Sequence, residues 1–146
     1  MFWRMAAALA VSALLAGNAA AQPAREHKLV LQADTDDVGT LNIVLGNAMN
    51  AKKYYDAHGE KLTVEIVAYG PGITMLRSDT SPVKEHLQQA QAAIPGLALS
   101  MCGNAKANAE KREGHEIIAL PGVKVVPAGV VRIMELQEQG YSYVRP

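Results

Sequence analysis

The sequence predicts an α/β fold, specifically a flavodoxin-like three-layer sandwich with a mostly parallel sheet of about five strands. Two observations lead to this prediction. Short runs of apolar and β-branched residues alternate along the chain with longer segments whose apolar residues recur at helical spacing. Glycine or proline separates most of these segments, and no internal repeat or low-complexity linker interrupts them. Because strands joined through helices form right-handed crossovers, we expect parallel strands with helices on both faces.

Strand, helix and strand follow one another in the first half of the chain. Residues 28–33 form a short apolar run that an acidic loop ends, as expected of a buried first strand. Apolar residues recur at helical spacing across residues 40–58, and Gly59 follows as a helix-stop signal. Residues 62–69 are mostly β-branched or apolar and predict a second strand buried on both faces, which Gly70-Pro71-Gly72 ends.

The second half of the chain continues the alternation. Pro82 fits the first position of a helix that runs to about Ile94, where Pro95-Gly96 ends it. Cys102 follows the third predicted strand and leads into the next helix, so it lies at a strand-to-helix junction. The remaining predicted elements are a helical turn at 73–76, strands at 97–101, 124–126 and 141–144, and helices that end near 113 and span 128–139.

The first 21 residues have the pattern of a secretory signal peptide. Arg4 gives a short positive start, residues 5–17 are an unbroken run of small and apolar residues, and Ala19-Ala20-Ala21 supply the small side chains that a signal peptidase needs. The apolar run is shorter than the roughly 20 residues of a membrane-spanning helix. We therefore expect cleavage near Ala21, a periplasmic or secreted protein, and one domain at residues 22–146.

The charge of the chain is balanced, with 14 basic and 14 acidic residues. A nucleic-acid surface or a membrane-binding patch needs clustered lysine and arginine, which the sequence lacks. We therefore expect that neither nucleic acid nor, after signal cleavage, a membrane is a partner.

Cys102 is the only cysteine of the chain. Cysteines of exported proteins usually pair in disulfides, and a single cysteine cannot form an internal one. Three interpretations stay open: an inert buried residue, a disulfide between chains, or a working thiol. The junction favours the third, because the N–H groups and the positive dipole end at a helix start favour a thiolate, which is the nucleophilic form.

Four segments follow the carboxyl ends of predicted strands, which is where parallel sheets bind ligands. They are residues 34–40, 69–72, 102–104 and 127–129, and we expect them to converge. Gly103 would allow another molecule to approach closely, and Asn104 would cap the helix or donate a hydrogen bond to the sulfur. The sequence thus predicts a site around Cys102 at this edge of the sheet.

Other motifs give weaker signals. Gly70-Pro71-Gly72 lacks the further glycine of a dinucleotide fingerprint and the Lys-Ser/Thr of a P-loop, so a tight turn is the preferred interpretation. Asp34, Asp36 and Asp37 lack the glycine and glutamate of a calcium loop, and we expect solvated or helix-capping side chains. The four histidines share no metal-ligand spacing, and no haem-attachment motif is present. We predict no metal and no cofactor.

Three stretches of the sequence together resemble the DsrE/DsrF-like family. They are residues 67–72, the turn Cys102-Gly103-Asn104, and the closing segment 126–146, in which Glu135-Leu136-Gln137 followed by Gly140-Tyr141 is the sharpest part. The resemblance spans nearly all of residues 22–146. It implies a flavodoxin-like sandwich that assembles into homo-oligomers, often trimers or hexamers. It also implies a sulfur relay in which a cysteine at this turn carries persulfide sulfur, and Cys102 matches that position.

The resulting hypothesis is an exported sulfur carrier, in which Cys102 accepts a sulfane sulfur and exchanges it with a thiol-bearing donor or acceptor protein. Whether the chain is an enzyme stays open. The alternative is a non-enzymatic oligomer that binds a small ligand or acts as a scaffold, with a structural or redox-sensing cysteine. The candidate catalytic residue is Cys102, and the residues expected to shape the pocket or stabilise the anion are Gly103, Asn104, Tyr69, Gly70, Pro71, Gly72, Asp34, Thr40 and Asn42.

Overall fold

Five strands form one sheet in the structure, a computed structural model that describes residues 25–146. The predicted signal segment, residues 1–21, lies outside the described residues. The strands are β1 (Glu26–Ala33), β2 (Lys61–Ala68), β3 (Ala98–Cys102), β4 (Val123–Val126) and β5 (Ser142–Val144). Their order is β4-β3-β2-β1-β5, and all neighbours are parallel. The predicted parallel α/β sandwich is confirmed.

The connecting segments are helical, as predicted. They are α1 (Val38–Ala57), a 3-10 helix (Gly70–Leu76), α2 (Lys84–Ala93), α3 (Gly103–Glu113) and α4 (Gly129–Glu138). Helix α2 begins later than the predicted Pro82, because Ser81 Oγ donates to the Met75 carbonyl oxygen at 2.7 Å instead of capping the helix. No helix within residues 25–146 is long and apolar enough to cross a membrane.

The strand order explains why the two faces of the sheet differ. From β1 to β4 the chain moves one strand at a time in one direction, so right-handed crossovers place the connecting helices on one face. From β4 to β5 the chain returns across the whole sheet, so the same handedness places α4 on the opposite face. The buried clusters agree, because α1, α2, α3 and the 3-10 helix share one cluster and α4 forms another.

The first face carries the larger hydrophobic core. Alternate residues of the central strands point into it, including Leu31, Ile66 and Leu99, each at most 2% exposed. The 3-10 helix packs tightly against the end of β1. A Cβ atom on Gly72 would lie 2.0 Å from the Ala33 carbonyl oxygen, so a glycine is required for this close approach.

The second face combines a small apolar core with a buried polar cluster. Val30 and Val67 of the sheet pack against Ile133 and Leu136 of α4. Beside them lies the Glu65 cluster, which we define as Glu65 of β2, Ser100 of β3 and Arg132 of α4. Arg132 donates to both carboxylate oxygens of Glu65 at 2.8 Å each, and Ser100 Oγ donates to one of them at 2.7 Å. The cluster therefore ties α4 to two central strands.

Glu65 is a buried carboxylate, only 3% exposed. Burial raises its pKa, but the hydrogen bonds from Arg132 and Ser100 outweigh burial and hold the pKa below its ordinary value. The folded state thus binds this proton less readily than the unfolded chain. The resulting stabilisation is fully present above the pH at which an unfolded glutamate titrates, and it is lost as the pH falls through the folded pKa.

Replacing Arg132 with methionine is predicted to reverse this pH dependence. Without the guanidinium, burial dominates and raises the pKa of Glu65 above its ordinary value, so this site loses stability as the pH rises. At neutral pH the variant should lose about 3 kcal/mol, because a buried charge is left without its partner. Denaturant unfolding between about pH 4 and pH 8 measures the effect.

The control is Glu65→Gln combined with Arg132→Met, which removes the titrating carboxyl. Because this double variant has no carboxyl at position 65, its stability should not show the loss with rising pH that is expected of Arg132→Met. Part of the stability lost at neutral pH should also return. If the free energy of unfolding changed with pH in the same way in the wild type and in Arg132→Met, the account of the Glu65 cluster would be contradicted.

Candidate functional site

The carboxyl end of β3 lies where the connections leave the sheet on opposite faces. β3 leads into α3 on the first face, whereas its neighbour β4 leads into α4 on the second. Parallel α/β sheets bind ligands in the crevice that forms at such a topological switch point. Cys102 is the last residue of β3 and lies at this crevice.

The sulfur of Cys102 caps α3. Cys102 is the N-cap residue, and its Sγ accepts a hydrogen bond from the Ala105 backbone N–H at 3.4 Å. The first N–H groups of a helix lack helical partners, and the dipole is positive at this end. The position therefore suits negative charge on the sulfur. The residue is 6% exposed, so the sulfur lies just below the surface.

The first turn of α4 forms one wall beside Cys102. A Cβ atom on Gly129 would lie 3.2 Å from Cys102 Cβ and 2.9 Å from Tyr69 Cβ, so both side chains pack against this glycine. On the other side, the Asn104 backbone N–H donates to the Pro127 carbonyl oxygen at 3.3 Å. The segments that follow β2, β3 and β4 thus converge around the thiol.

The segment after β1 lies at the same edge of the sheet, where hydrogen bonds and an ion pair form a polar network. Tyr143 Oη donates to Gln32 Oε1 at 2.6 Å, and Gln32 Nε2 donates to Asp34 Oδ2 at 2.9 Å. The Arg145 guanidinium forms an ion pair with Asp34, also at 2.9 Å. Asp34 is therefore held by partners on β1 and on the C-terminal segment.

Tyr69 lies between this network and Gly129. Burial raises the pKa of the Tyr69 phenol, and the nearby Asp34 carboxylate and Tyr143 phenol raise it further. The phenol therefore stays protonated at neutral pH. Tyr69 contributes an apolar ring and an O–H donor to the site rather than a base.

Several predicted site residues lie elsewhere or act differently. The side chain of Asn104 is exposed, and the cap of α3 comes from Cys102 itself. Thr40 belongs to the start of α1, where its N–H donates to the N-cap Asp37 at 2.7 Å. Asn42 lies opposite α2, with its Oδ1 2.7 Å from His86 Nδ1. The expected helix-capping role is confirmed for Asp37, whereas the contacts of Thr40 and Asn42 are not with Cys102.

Gly70 and Pro71 line a different space, a cleft of about 460 Å³ between the 3-10 helix and α3. Arg77 lies in its wall and is bound by two carboxylates, Asp79 and Glu113, at 2.7 Å each. Because these acids occupy its guanidinium, Arg77 is not free to bind an anion in the cleft. Within the described residues, no group of three or more histidine, cysteine or acidic side chains is placed to hold a metal ion.

Sequence reasoning placed residues 127–129 at this edge, and the contact of Gly129 with Cys102 agrees with that expectation. It missed Glu65 and Arg132 as the anchor of α4. Glu65 carried a signal, since a charged residue in an otherwise apolar strand indicates a buried partner. No local pattern indicated which residue that partner would be.

A family model described as the DsrE/DsrF-like family matches residues 6–146. The chain belongs to the DsrE/DsrF-like family. Membership of this family suggests a function related to sulfur relay. No curated protein matches the chain.

Two solved structures of unknown function share the DsrE-like fold of this chain. MTH1491 from Methanobacterium thermoautotrophicum is 28% identical with a TM-score of 0.67, over 82% of this chain and 99% of that one. BT1422 from Bacteroides thetaiotaomicron is 18% identical with a TM-score of 0.54, over 82% of this chain and 94% of that one. At that identity BT1422 supports the fold alone.

Replacing Cys102 with alanine or serine tests the capping role of the sulfur. Cys102→Ala removes the acceptor at the N-cap and should lower the free energy of unfolding by about 1 kcal/mol. Cys102→Ser keeps an acceptor, and serine is a preferred N-cap residue, so it should lose less. Denaturant unfolding of both variants measures the difference, and a serine variant less stable than the alanine variant would contradict the cap.

Proposed function

We propose that this DsrE-like protein carries sulfane sulfur as a persulfide on Cys102, outside the cytoplasm. The observation that supports the proposal best is the place of the thiol. The thiol lies at the topological switch point of the sheet, and its sulfur accepts a hydrogen bond from the first turn of α3. The family to which the chain belongs suggests a function in sulfur relay. Gly129 at the start of α4 packs against Cys102 Cβ and also against Tyr69, so residues that follow two other strands lie next to the thiol.

Loading would be a nucleophilic displacement at sulfur. The Cys102 thiolate attacks the outer sulfur of a donor persulfide, R–S–SH. A new S–S bond forms on Cys102, the S–S bond of the donor breaks, and the donor leaves as the thiolate R–S⁻. The electron pair of the broken bond leaves with that thiolate, so no external oxidant or reductant is needed.

Unloading would be the same reaction in the opposite sense. The thiolate of an acceptor, such as a cysteine of a partner protein, attacks the outer sulfur of the Cys102 persulfide and takes it. Cys102 leaves as a thiolate, which the start of α3 is placed to receive through the Ala105 N–H. The cap therefore serves the leaving group of this step as well as the nucleophile of loading.

The alternative, a binding or scaffold protein with a structural cysteine, is favoured by one observation. Cys102 is only 6% exposed, and small buried thiols often only pack. A disulfide between chains is a further outcome in an oxidising compartment. Both alternatives predict a protein that does not take up sulfane sulfur.

We also propose that the protein assembles into a homo-oligomer, a trimer or a hexamer. Near its start, helix α4 also carries apolar side chains on its outer side, with Val130, Val131 and Met134 between 48% and 58% exposed. Exposed apolar residues that lie together on a surface are typical of an interface with another protein chain. Further copies of the chain would cover this surface.

Incubation with inorganic polysulfide followed by intact mass measurement tests the persulfide. The wild type should gain about 32 Da per sulfur atom, and a thiol-blocking reagent added beforehand should abolish the gain. Cys102→Ser is the matched control, because it keeps the cap but lacks the nucleophile. A wild type that gains no mass would refute the proposal, and doubling of the mass without reducing agent would indicate a disulfide between chains.

Sedimentation velocity tests the assembly. The wild type should sediment as a trimer or hexamer, and Val131→Asp combined with Met134→Asp should sediment as a monomer, because charge on an apolar contact disfavours burial. Ile43→Asp on α1 is the control, since Ile43 is equally exposed at 53% but lies on the opposite layer. A monomeric wild type would rule out this proposal.

Determination of the N-terminus of the expressed protein tests export. The sequence should begin at Gln22, and replacing Ala19 and Ala21 with leucine should block cleavage, because the peptidase needs small residues there. A protein that retains Met1 and remains in the cytoplasm would show that residues 1–21 are not a signal peptide.

A further inference from the structure

A second cavity lies on the first face of the sheet, between α1 and the edge strand β5. It has a volume of about 410 Å³, and most of its lining comes from α1, β1 and β5. Strands β1 and β2 separate β5 from β3, which ends in Cys102. The cavity is therefore distinct from the candidate site described above.

The strand order explains why this part of the first face is open. The connections after β1, β2 and β3 place their helices on the first face, whereas the return from β4 to β5 places α4 on the second. No helix within residues 25–146 therefore joins β1 to β5 on the first face. Val144 of β5 is the neighbour of Leu31 in the sheet, shares its face and is 39% exposed.

The floor of the cavity is apolar because alternate residues of β1 turn to opposite faces. Leu29 belongs to the first face, whereas Glu26 and Lys28 occupy the alternate positions. Both charged side chains have partners of their own, since Lys28 donates to the Gln139 carbonyl oxygen and Glu26 accepts from Thr63, each at 3.3 Å. Neither residue therefore supplies a free charge to the cavity.

Two stacked rings also line the cavity. The ring centroids of His27 and Tyr55 are 3.9 Å apart, and the ring planes differ by 20°. His27 Nε2 lies 2.9 Å from a carboxylate oxygen of Glu60, so a positive charge on this ring is balanced within the protein. The rings therefore offer an aromatic surface without an unpaired charge.

The other polar groups of the lining are neutral. Asn47 and Asn50 lie one turn apart on α1, and Ser142 lies on β5. The hydrogen bonds within residues 25–146 leave these three side chains without a partner. Because an asparagine amide both donates and accepts, it is complementary to a head group that does the same.

We propose that this cavity binds a small uncharged amphipathic molecule, with an alkyl chain and a head group such as a primary amide. Ligand sites of proteins are mostly apolar cavities of roughly 300–1,000 Å³ with a few polar groups that fix the ligand. The chain packs on Leu29 and Leu31, and the head group bonds to Asn47 and Asn50. A charged head group would lose its water without gaining a partner. The proposal does not depend on the persulfide function of Cys102.

Three probes with the same alkyl chain test the ligand class on the isotope-labelled mature protein at neutral pH. They are hexanamide, hexanoate and hexylammonium, followed through the NMR signals of Asn47, Ser142 and Val144. Hexanamide should shift these signals at concentrations up to about 10 mM, the range expected of so small a ligand. The two charged probes should bind at least about tenfold more weakly, because the cavity offers no partner for their charge.

Variants of the lining locate the binding. Asn47→Ala combined with Asn50→Ala should weaken hexanamide binding several-fold, because the head group loses its hydrogen bonds. Ala51→Phe should also weaken it, because the ring occupies the cavity while both asparagines remain. Asn108→Ala is the matched control, since Asn108 lies on α3 and lines the cleft beside the 3-10 helix. Binding should be unchanged in this control and in Cys102→Ser.

Several results would overturn the proposal. They are the absence of any shift with hexanamide, equal binding of hexanoate, and shifts confined to the cleft around Asn108. If the signals of Ser142 and Val144 changed with protein concentration and not with hexanamide, the cavity would be a contact between copies of the chain and not a ligand site. Hexanamide binding that persists in Cys102→Ser would show that this site stands apart from the persulfide, whatever the outcome of the mass measurement.

Discussion

The bidentate contact between Arg132 and Glu65 fixes the helix on which the candidate site depends. Glu65 lies in the middle of a central strand, where an unpaired carboxylate would be strongly unfavourable. Its partner comes from α4, which covers the second face with only a small apolar core of its own. Because apolar contacts tolerate sliding and a bidentate pair does not, the pair sets the position of α4 along the sheet. Gly129, one turn earlier, is thereby placed against Cys102 and Tyr69.

The topology that places α4 on the second face also creates the site. The chain makes three crossovers in one direction and one return in the other, and under the right-handed rule these lie on opposite faces of the sheet. The connections after β3 and β4 are thereby separated. The crevice between them is where Cys102 ends β3 and caps α3. The same return carries the chain to β5 on the far side of β1, where Tyr143 and Arg145 hold Gln32 and Asp34. The return of the chain across the sheet after β4 therefore accounts for the position of Cys102, for the first turn of α4 beside it and for the polar network.

Local signals in the sequence predicted most of the strands and helices, whereas contacts between residues far apart in the sequence could not be predicted. Glycines and prolines at the ends of periodic segments identified the strands and helices, and the position of Cys102 before a helix followed from them. The strand order depends on which strands pair, and no local pattern encodes that. Glu65 and Arg132 are 67 residues apart, so their contact could not be read from spacing. Asn42 lies on α1, where helical geometry turns its side chain toward His86 of α2 rather than toward Cys102.

Transfer of sulfur from loaded Cys102 to a free thiol tests the central claim most directly. The protein is loaded, freed of excess polysulfide and mixed with N-acetylcysteine, and the masses of both partners are followed. The account predicts that the protein loses about 32 Da while the small thiol gains the same mass, because attack falls on the exposed outer sulfur. A mixed disulfide between Cys102 and the small thiol, with sulfide released, would contradict it, because attack would then have fallen on Sγ of a residue that is only 6% exposed.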